Sequence, residues 1–335
     1  MGILLRYYIC CVLFCRLRAT IYLFPILIMR KFTKRVIVFL APIILLTIFM
    51  EILSRRIPND YSYKNKYLEH NSDKIEILFL GSSHTYYGID PLYFKKKSFN
   101  AAHVSQSLDY DLAILTKYKN WSNLKYIVVP VDYFSLYSTL DSGAERWRKK
   151  KYKIYYDIDL NTKMFYNFEI IDGKLKDHFS RIKRYYSEGI DDITCNKLGW
   201  GTRHKSTESN DLNETGMEAA KRHTLDIENN VCYKENIERL NKIIQFAELR
   251  NIKVIFITSP AYKTYVDNLA PKQIKNTIYT MTQLSNKNKN KNTSYYNLLN
   301  DKSFVYKDFY DGDHLNEIGA KKLSGIINNL INKEE

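Results

Sequence analysis

The longest unbroken apolar stretch of the chain is Val36–Leu53, VIVFLAPIILLTIFMEIL, with one charge, Glu51, near its end. Eighteen such residues are about the minimum for a helix that crosses a bilayer, and Pro42 is tolerated in one. Arg30, Lys31, Lys34 and Arg35 precede the run. By the positive-inside rule this predicts a cytoplasmic flank, and residues beyond 56 on the other side of the membrane. Arg55 and Arg56 weaken that asymmetry without reversing it. No small-residue cleavage site follows, so a retained single-pass anchor is expected rather than a removed signal peptide; the competing reading is a buried core helix. Residues 1–35 read as a cytoplasmic segment or as a start placed too early. Ile3–Cys15 and Thr20–Met29 are apolar but broken by Arg6, Arg16 and Arg18, which allows a second membrane segment. Alternatively, Met29 begins a short basic region followed by an apolar run, as a signal-anchor protein does.

After the anchor the pattern changes. Residues 57–74 are polar and read as a tether. Residues 75–80 (IEILFL) are a short apolar run stopped by Gly81-Ser82-Ser83, the mark of a buried strand ending in a tight turn. A second strand is expected to end at Asn100-Ala101-Ala102, and a helix spans Leu108–Tyr118. Tyr126–Val131 (YIVVPV) is the next strong strand, with Pro130 near its end. Residues 140–230 show weak periodicity, many aromatics and a Gly199-Trp200-Gly201 turn, and read as an insertion. Asn236–Leu249 is amphipathic, with Ile237, Leu240, Ile244 and Ala247 on one face. Lys253–Thr258 (KVIFIT) is a third strong strand. Pro271–Leu284 is helical with Pro in the first turn. Asn286–Asn292 reads as a surface loop. Asn316 caps a last helix carrying Ile318, Leu323, Ile326, Ile327 and Leu330. Helices alternating with apolar strands predict an α/β domain with a mainly parallel sheet over 75–335.

Composition narrows the class. The chain is 45% apolar and 26% charged, which suits a globular protein. A formal net charge of +15 fits contact with an anionic membrane, an acidic polymer or nucleic acid. The run Arg146-Trp147-Arg148-Lys149-Lys150-Lys151-Tyr152-Lys153 concentrates it. Behind a membrane anchor its expected partner is an anionic glycopolymer or lipid headgroup rather than nucleic acid; a solvated loop is the plainer reading. Of the five cysteines, Cys195 and Cys232 lie beyond the anchor and would pair only if the fold brought them together. No Cys-x-x-Cys spacing suggests zinc, and no metal or organic cofactor is implied.

The candidate chemistry rests on two distant stretches. In α/β sheets, chemistry gathers beyond the carboxyl ends of the strands, which is where Ser83 falls. A serine needs a base to become a nucleophile, and the base needs an orienting group. Asp311-Gly312-Asp313-His314 offers both just before the last helix. Residues three apart in a turn can share a side, so Asp311 is expected to hold Nδ1 of His314 and leave Nε2 for Ser83. Asp313 is the second candidate for that role. The Gly-x-Ser-x-Gly elbow of ordinary α/β-hydrolases is absent.

Gly81-Ser82-Ser83 after the first strand and Asp311-x-x-His314 before the last helix resemble the SGNH (GDSL-type) esterase and acyltransferase superfamily. Ser83 matches the nucleophile, and Ser82 replaces the usual Asp. The Gly-Ser-Ser turn behind an anchor, with Asp-His-Leu-Asn-x-x-Gly-Ala at Asp313–Ala320, is similar to a membrane-anchored branch that includes proteins of alginate O-acetylation and teichoic-acid D-alanylation. The resemblance covers about 74–135 and 232–332 and implies a three-layer α/β/α domain. It also implies a serine esterase or O-acyltransferase acting on acyl groups, acetyl first among them, of a cell-surface polysaccharide, with a membrane-bound O-acyltransferase as partner. The superfamily usually completes its oxyanion hole with a Gly after the second strand and an Asn after the third. Here the corresponding blocks are Asn100-Ala101-Ala102-His103-Val104-Ser105 and Val129-Pro130-Val131-Asp132. The backbone amides of Ser83 and Ser105 are therefore the candidate donors, and Asp132 would repel an oxyanion unless protonated or turned away. His84 and Asn100 are candidate substrate contacts, with a structural role equally open for His84. His103 reads as a surface residue or one behind the site. The rival expectation is a non-catalytic binding or assembly subunit that kept the fold.

Overall fold

The structure is a computed structural model that describes residues 2–160, 163–171, 173–287 and 292–333; for residues 2–28 and 287 it describes the backbone alone. It opens with one continuous helix, α1 (Gly2–Arg56). Within it, Met29–Arg56 is long and apolar enough to cross a membrane. Both upstream apolar segments continue this helix in backbone, and their side chains lie outside the described residues, as does the question of the start. The polar stretch 57–74 is not a loose tether. Asn59 Oδ1 accepts the Tyr61 and Ser62 N–H groups, and the Asn59 N–H returns to Ser62 Oγ, which starts α2 (Asp60–Asn71). Tyr61, Lys64 and Leu68 are buried on one face. Polar composition hid this face because one of its three positions is a lysine. Its ammonium donates to Ala102 O and sits 4.5 Å from the centre of the Tyr86 ring.

Five parallel strands form the sheet: β1 (Ile77–Phe79), β2 (Ser98–Asn100), β3 (Tyr126–Pro130), β4 (Lys253–Thr258) and β5 (Thr293–Asn297), in the order β2-β1-β3-β4-β5. Leu78 pairs with Ile127, and Val128 with Ile255. Strand side chains alternate between faces, so one strand feeds two cores. Leu78, Ile127, Val129, Val254 and Phe256 meet one set of helices, while Ile77, Phe79, Val128 and Ile255 meet another. Between β1 and β3 lie α3 (Ser83–Gly88) and α4 (Leu108–Lys117). The insertion carries α5 (Lys149–Lys151), α6 (Leu175–Glu188) and α7 (Leu212–His223). Then come α8 (Val231–Glu248), α9 (Lys263–Asp267), α10 (Pro271–Lys287) and α11 (Glu317–Lys333). Ile114 of α4, Leu240 and Ile244 of α8 and Met281 of α10 cover the first face. Leu323, Ile327 and Ile331 of α11 cover the second. The result is the expected three-layer α/β/α arrangement. Strand β5 is absent from the sequence reading, because the half-buried edge segment Thr293–Asn297 carries little apolar signal. Residues 288–291 of the predicted loop before it lie outside the described residues.

Cys195 and Cys232 are both free thiols, so the fold does not bring the two together. The basic run 146–153 is also not an exposed strip. Lys149 and Lys150 are buried, and Tyr152 is fully buried. Lys149 pairs with Asp141 at 2.8 Å, Lys151 with Glu169, and Lys153 with Asp159 at 2.8 Å, while Lys150 Nζ donates to Glu169 O. Most of this charge is neutralised inside the insertion. His103 too is buried, stacked on Tyr61 with ring centres 4.0 Å apart.

Candidate active site

In a sheet of order 2-1-3-4-5 the crevice lies beyond β1 and β3, where neighbouring connections leave in opposite directions. Gly81 turns the chain there with φ +114. A Cβ on it would stand 2.7 Å from Thr85 Oγ1 and 2.9 Å from Pro130 Cδ, so both the backbone and the space require glycine. The Gly81 N–H donates to Asp111 Oδ1 at 2.7 Å, and Gln106 Nε2 donates to the same oxygen at 2.6 Å. Burial raises the Asp111 carboxyl to about 7, against the lowering effect of these two bonds. This brace on the turn is not visible in the sequence. Ser83 is the first residue of α3, where N–H groups have no intrahelical acceptor.

The loop before α11 is built from the opposite side of the cleft. Asp311 Oδ1 accepts the His314 N–H at 2.8 Å and the Asp313 N–H at 3.1 Å, which folds the four residues into a turn. Gly312 lies against Gly216 of α7. A Cβ on it would meet Gly216 Cα at 2.2 Å, so the insertion supports this loop directly. Beyond it, Leu315 enters the second core, and Asn316 Oδ1 accepts the Ile318 and Gly319 N–H groups. Gly319 lies where a Cβ would meet Asp308 O at 2.1 Å. Leu315, Asn316 and Gly319 of the Asp-His-Leu-Asn-x-x-Gly-Ala pattern thus have a packing, hydrogen-bonding and steric reason here.

The two stretches meet. His314 Nε2 is 2.9 Å from Ser83 Oγ. Its Nδ1 is 3.0 and 3.1 Å from the two oxygens of Asp311, and 3.4 Å from Asp313 Oδ1. Asp311 is therefore the nearer acid. Burial works against a charge on His314, but Asp313 and then Asp311 outweigh it and hold the imidazole well above its usual value.

Behind them lies a second histidine system. His84 is buried and bridges Asp132 (Nδ1 to Oδ2, 2.7 Å) and Asp313 (Nε2 to Oδ2, 3.3 Å). Burial lowers its pKa, but the Asp132 charge and the bonds to both carboxylates carry it to about 9. Asp132 Oδ1 accepts the Ser259 N–H at 2.8 Å. Both Asp132 oxygens are thus engaged below the site, and the carboxylate is neutralised by His84 rather than facing an oxyanion. His84 bridges the two carboxylates, and it is not among the residues that line the cleft. Asn100 does not line it either: it is fully buried, donates to Thr85 O and Ile89 O at 2.8 Å each, and accepts the Ala102 N–H.

Ser83, Ser105, Asp311, Asp313 and His314 line one cleft of about 920 Å³, together with Arg148, Arg222 and the segment from Phe134 to Glu145. Ser105 takes φ +61, the left-handed conformation that glycine adopts without strain. Two lining histidines escaped the sequence reading. His204 is stacked between Tyr87 and Tyr310 at 3.5 and 3.9 Å, and His223 Nδ1 is 3.0 Å from Tyr265 OH. Burial lowers both to about 3, which keeps them neutral. Neither carries a local motif; only the folded insertion brings them here. Trp200, in the predicted turn, donates its indole N–H to Tyr87 O at 2.6 Å. His84, Asp313 and His314 also offer ligand atoms within 4.8 Å of one another. Each of them is already engaged in the charge network above.

No family model matches the chain, and no curated protein does. Among solved structures, a provisionally named platelet activating factor from Streptococcus pneumonia aligns over 81% of this chain and 91% of its own, at 13% identity and TM-score 0.43. A provisionally named acylhydrolase from Bacteroides fragilis NCTC 9343 aligns over 80% of this chain and 95% of its own, at 12% identity and TM-score 0.40.

Proposed function

We propose that the protein is a membrane-anchored serine esterase or O-acyltransferase that handles acyl groups, acetyl foremost, of a cell-surface polysaccharide. The observation that carries this reading is the contact chain Ser83–His314–Asp311 at the mouth of the cleft. In the proposed reaction, His314 Nε2 takes the Ser83 hydroxyl proton as Oγ bonds to the acyl carbonyl carbon. The tetrahedral oxyanion is met by the backbone N–H of Ser83 and of Ser105. His314 then protonates the departing alcohol oxygen as its bond to carbon breaks, which leaves an acyl-serine. A water or an acceptor hydroxyl gives its proton to His314 and attacks that ester, releasing acid or the new ester. Asp311 accepts the Nδ1–H throughout and fixes the tautomer. The polymer, the acyl group and the membrane-bound acyltransferase partner rest on the motif resemblance.

The test is acyl transfer from an activated acetyl ester to water or an oligosaccharide, with serine labelling by a fluorophosphonate. Ser83→Ala should abolish labelling and turnover, and His314→Ala should cost nearly as much, because such groups act as a unit. Asp311→Asn should cost about 10⁴-fold. Wild-type turnover in folded Ser83→Ala would overturn the nucleophile assignment, and a native protein that neither labels nor turns over would replace this reading with the non-catalytic binding subunit.

A further inference from the structure

Helix α6 carries an apolar stripe that stays largely exposed among the described residues. Leu175, Phe179, Ile182 and Tyr186 recur at intervals of four, three and four, which places them on one face. Leu175 is 61% exposed, Phe179 52% and Tyr186 48%. The segment before the helix continues the patch with exposed Phe168 and Ile171. An uncovered apolar surface of this kind marks a contact site.

Its position names the occupant. Tyr186 OH donates to Leu53 O at 3.3 Å, the last residue of the apolar run of α1. Glu51 accepts the backbone N–H of Glu169 at 2.9 Å and of Ile170 at 3.1 Å, and Arg55 donates to Asn167 O. The stripe is therefore fastened to the point where α1 leaves its apolar stretch, and Phe49 and Ile52 of that stretch are exposed as well. Tyrosines favour that depth of a bilayer, with the ring among the acyl chains and the hydroxyl at the headgroups. Lys163, Lys174, Lys176 and Lys183 are exposed around the stripe, against Asp177 and Glu188. A surface helix whose apolar face is flanked by lysines suits an anionic lipid surface.

We infer that α6 lies in the membrane interface beside the anchor, its apolar stripe among the lipid acyl chains, and so holds the domain down on the bilayer. This rests on the reading of α1 as a membrane span.

The experiment uses the full chain in phosphatidylcholine–phosphatidylglycerol vesicles containing phosphatidylcholine brominated near the headgroup end of its acyl chains. Phe179→Trp reports on the stripe, Phe49→Trp on the span, and Leu249→Trp on the exposed end of α8; each signal is read as the difference from the parent chain. Tryptophan at 179 should lose most of its emission, as should tryptophan at 49, while that at 249 keeps its own. Loss at 49 without loss at 179 overturns the inference and leaves the anchor intact. Emission kept at both positions removes the membrane span itself, and the inference with it. Tryptophan at 179 that is unquenched but blue-shifted, in vesicles where the chain cross-links to itself, assigns the stripe to a second copy and also overturns it.

Discussion

At the scale of single residues, the site is a contest between two carboxylates for one imidazole. Asp311 has the better geometry at Nδ1, while buried Asp313 lies between His314 and His84. Together they hold His314 above the ordinary histidine value of about 6.5. A base must be neutral to accept the serine proton, so turnover should rise with pH through a limb above that value. Asp313→Asn removes one of the raising charges. It should shift the limb to lower pH while costing far less rate than Asp311→Asn. A pH–rate profile for both variants decides this, and an unmoved limb would show that Asp313 does not set the base. His84 makes a related prediction. Its pKa is raised from 6.5 to about 9, so the stability it contributes is fully present below about pH 6.5 and lost as pH rises through 9. His84→Gln leaves Asp132 buried without its cation, at a cost of about 3–5 kcal/mol. Urea midpoints of the two proteins should differ at pH 6 and converge above pH 9; equal midpoints at pH 6 would show that the bridge adds no stability.

At the scale of elements, the insertion is part of the site rather than an ornament on it. Helix α7 meets the Asp311 loop through Gly216 and Gly312, and the insertion brings Arg148, His204, Arg222 and His223 to the cleft. It also grips the anchor: the only acid in the apolar run, Glu51, receives the Glu169 and Ile170 amides. Glu51→Ala would leave these buried N–H groups without an acceptor, about 1–3 kcal/mol each. Hydrogen exchange at residues 169 and 170 should quicken in that variant while exchange in β3 and β4 stays unchanged. Exchange as slow as in the native chain would mean that the carboxylate does not hold this joint.

At the scale of the whole molecule, the basic run does not form an exposed strip of free charge, because Lys149, Lys151 and Lys153 pair with acids of the insertion. The proposed polymer substrate would meet the cleft at the carboxyl ends of β1 and β3. The proposed topology places that cleft outside the cytoplasm, on the evidence of the basic residues ahead of Val36. A phosphatase active only after export, fused behind α11, should be active. The same position should silence a fluorescent protein that folds only in the cytosol. The opposite pair of results would remove the exported-polymer substrate.

The sequence by itself determined the long apolar helix near the N-terminus, four of the five strands and the pair of stretches around Ser83 and His314. These are local facts: apolar runs, capping residues and turn glycines write themselves into consecutive letters. It also ranked Asp311 ahead of Asp313, since a three-residue offset in a turn fixes reach. Only the tertiary structure decided what depends on distant partners. Asp132 looked hostile to an oxyanion until His84 was found against it, a contact across 48 residues. His84, for which the sequence left a structural role and a substrate contact equally open, and Asn100, a candidate substrate contact, are both buried by the fold. The polar stretch 57–74 became a helix because a lysine found a carbonyl and a ring to bury against. His204 and His223 joined the cleft because a weakly periodic insertion folds back over it. Burial and pairing are properties of neighbours in space, and a linear pattern does not list those neighbours.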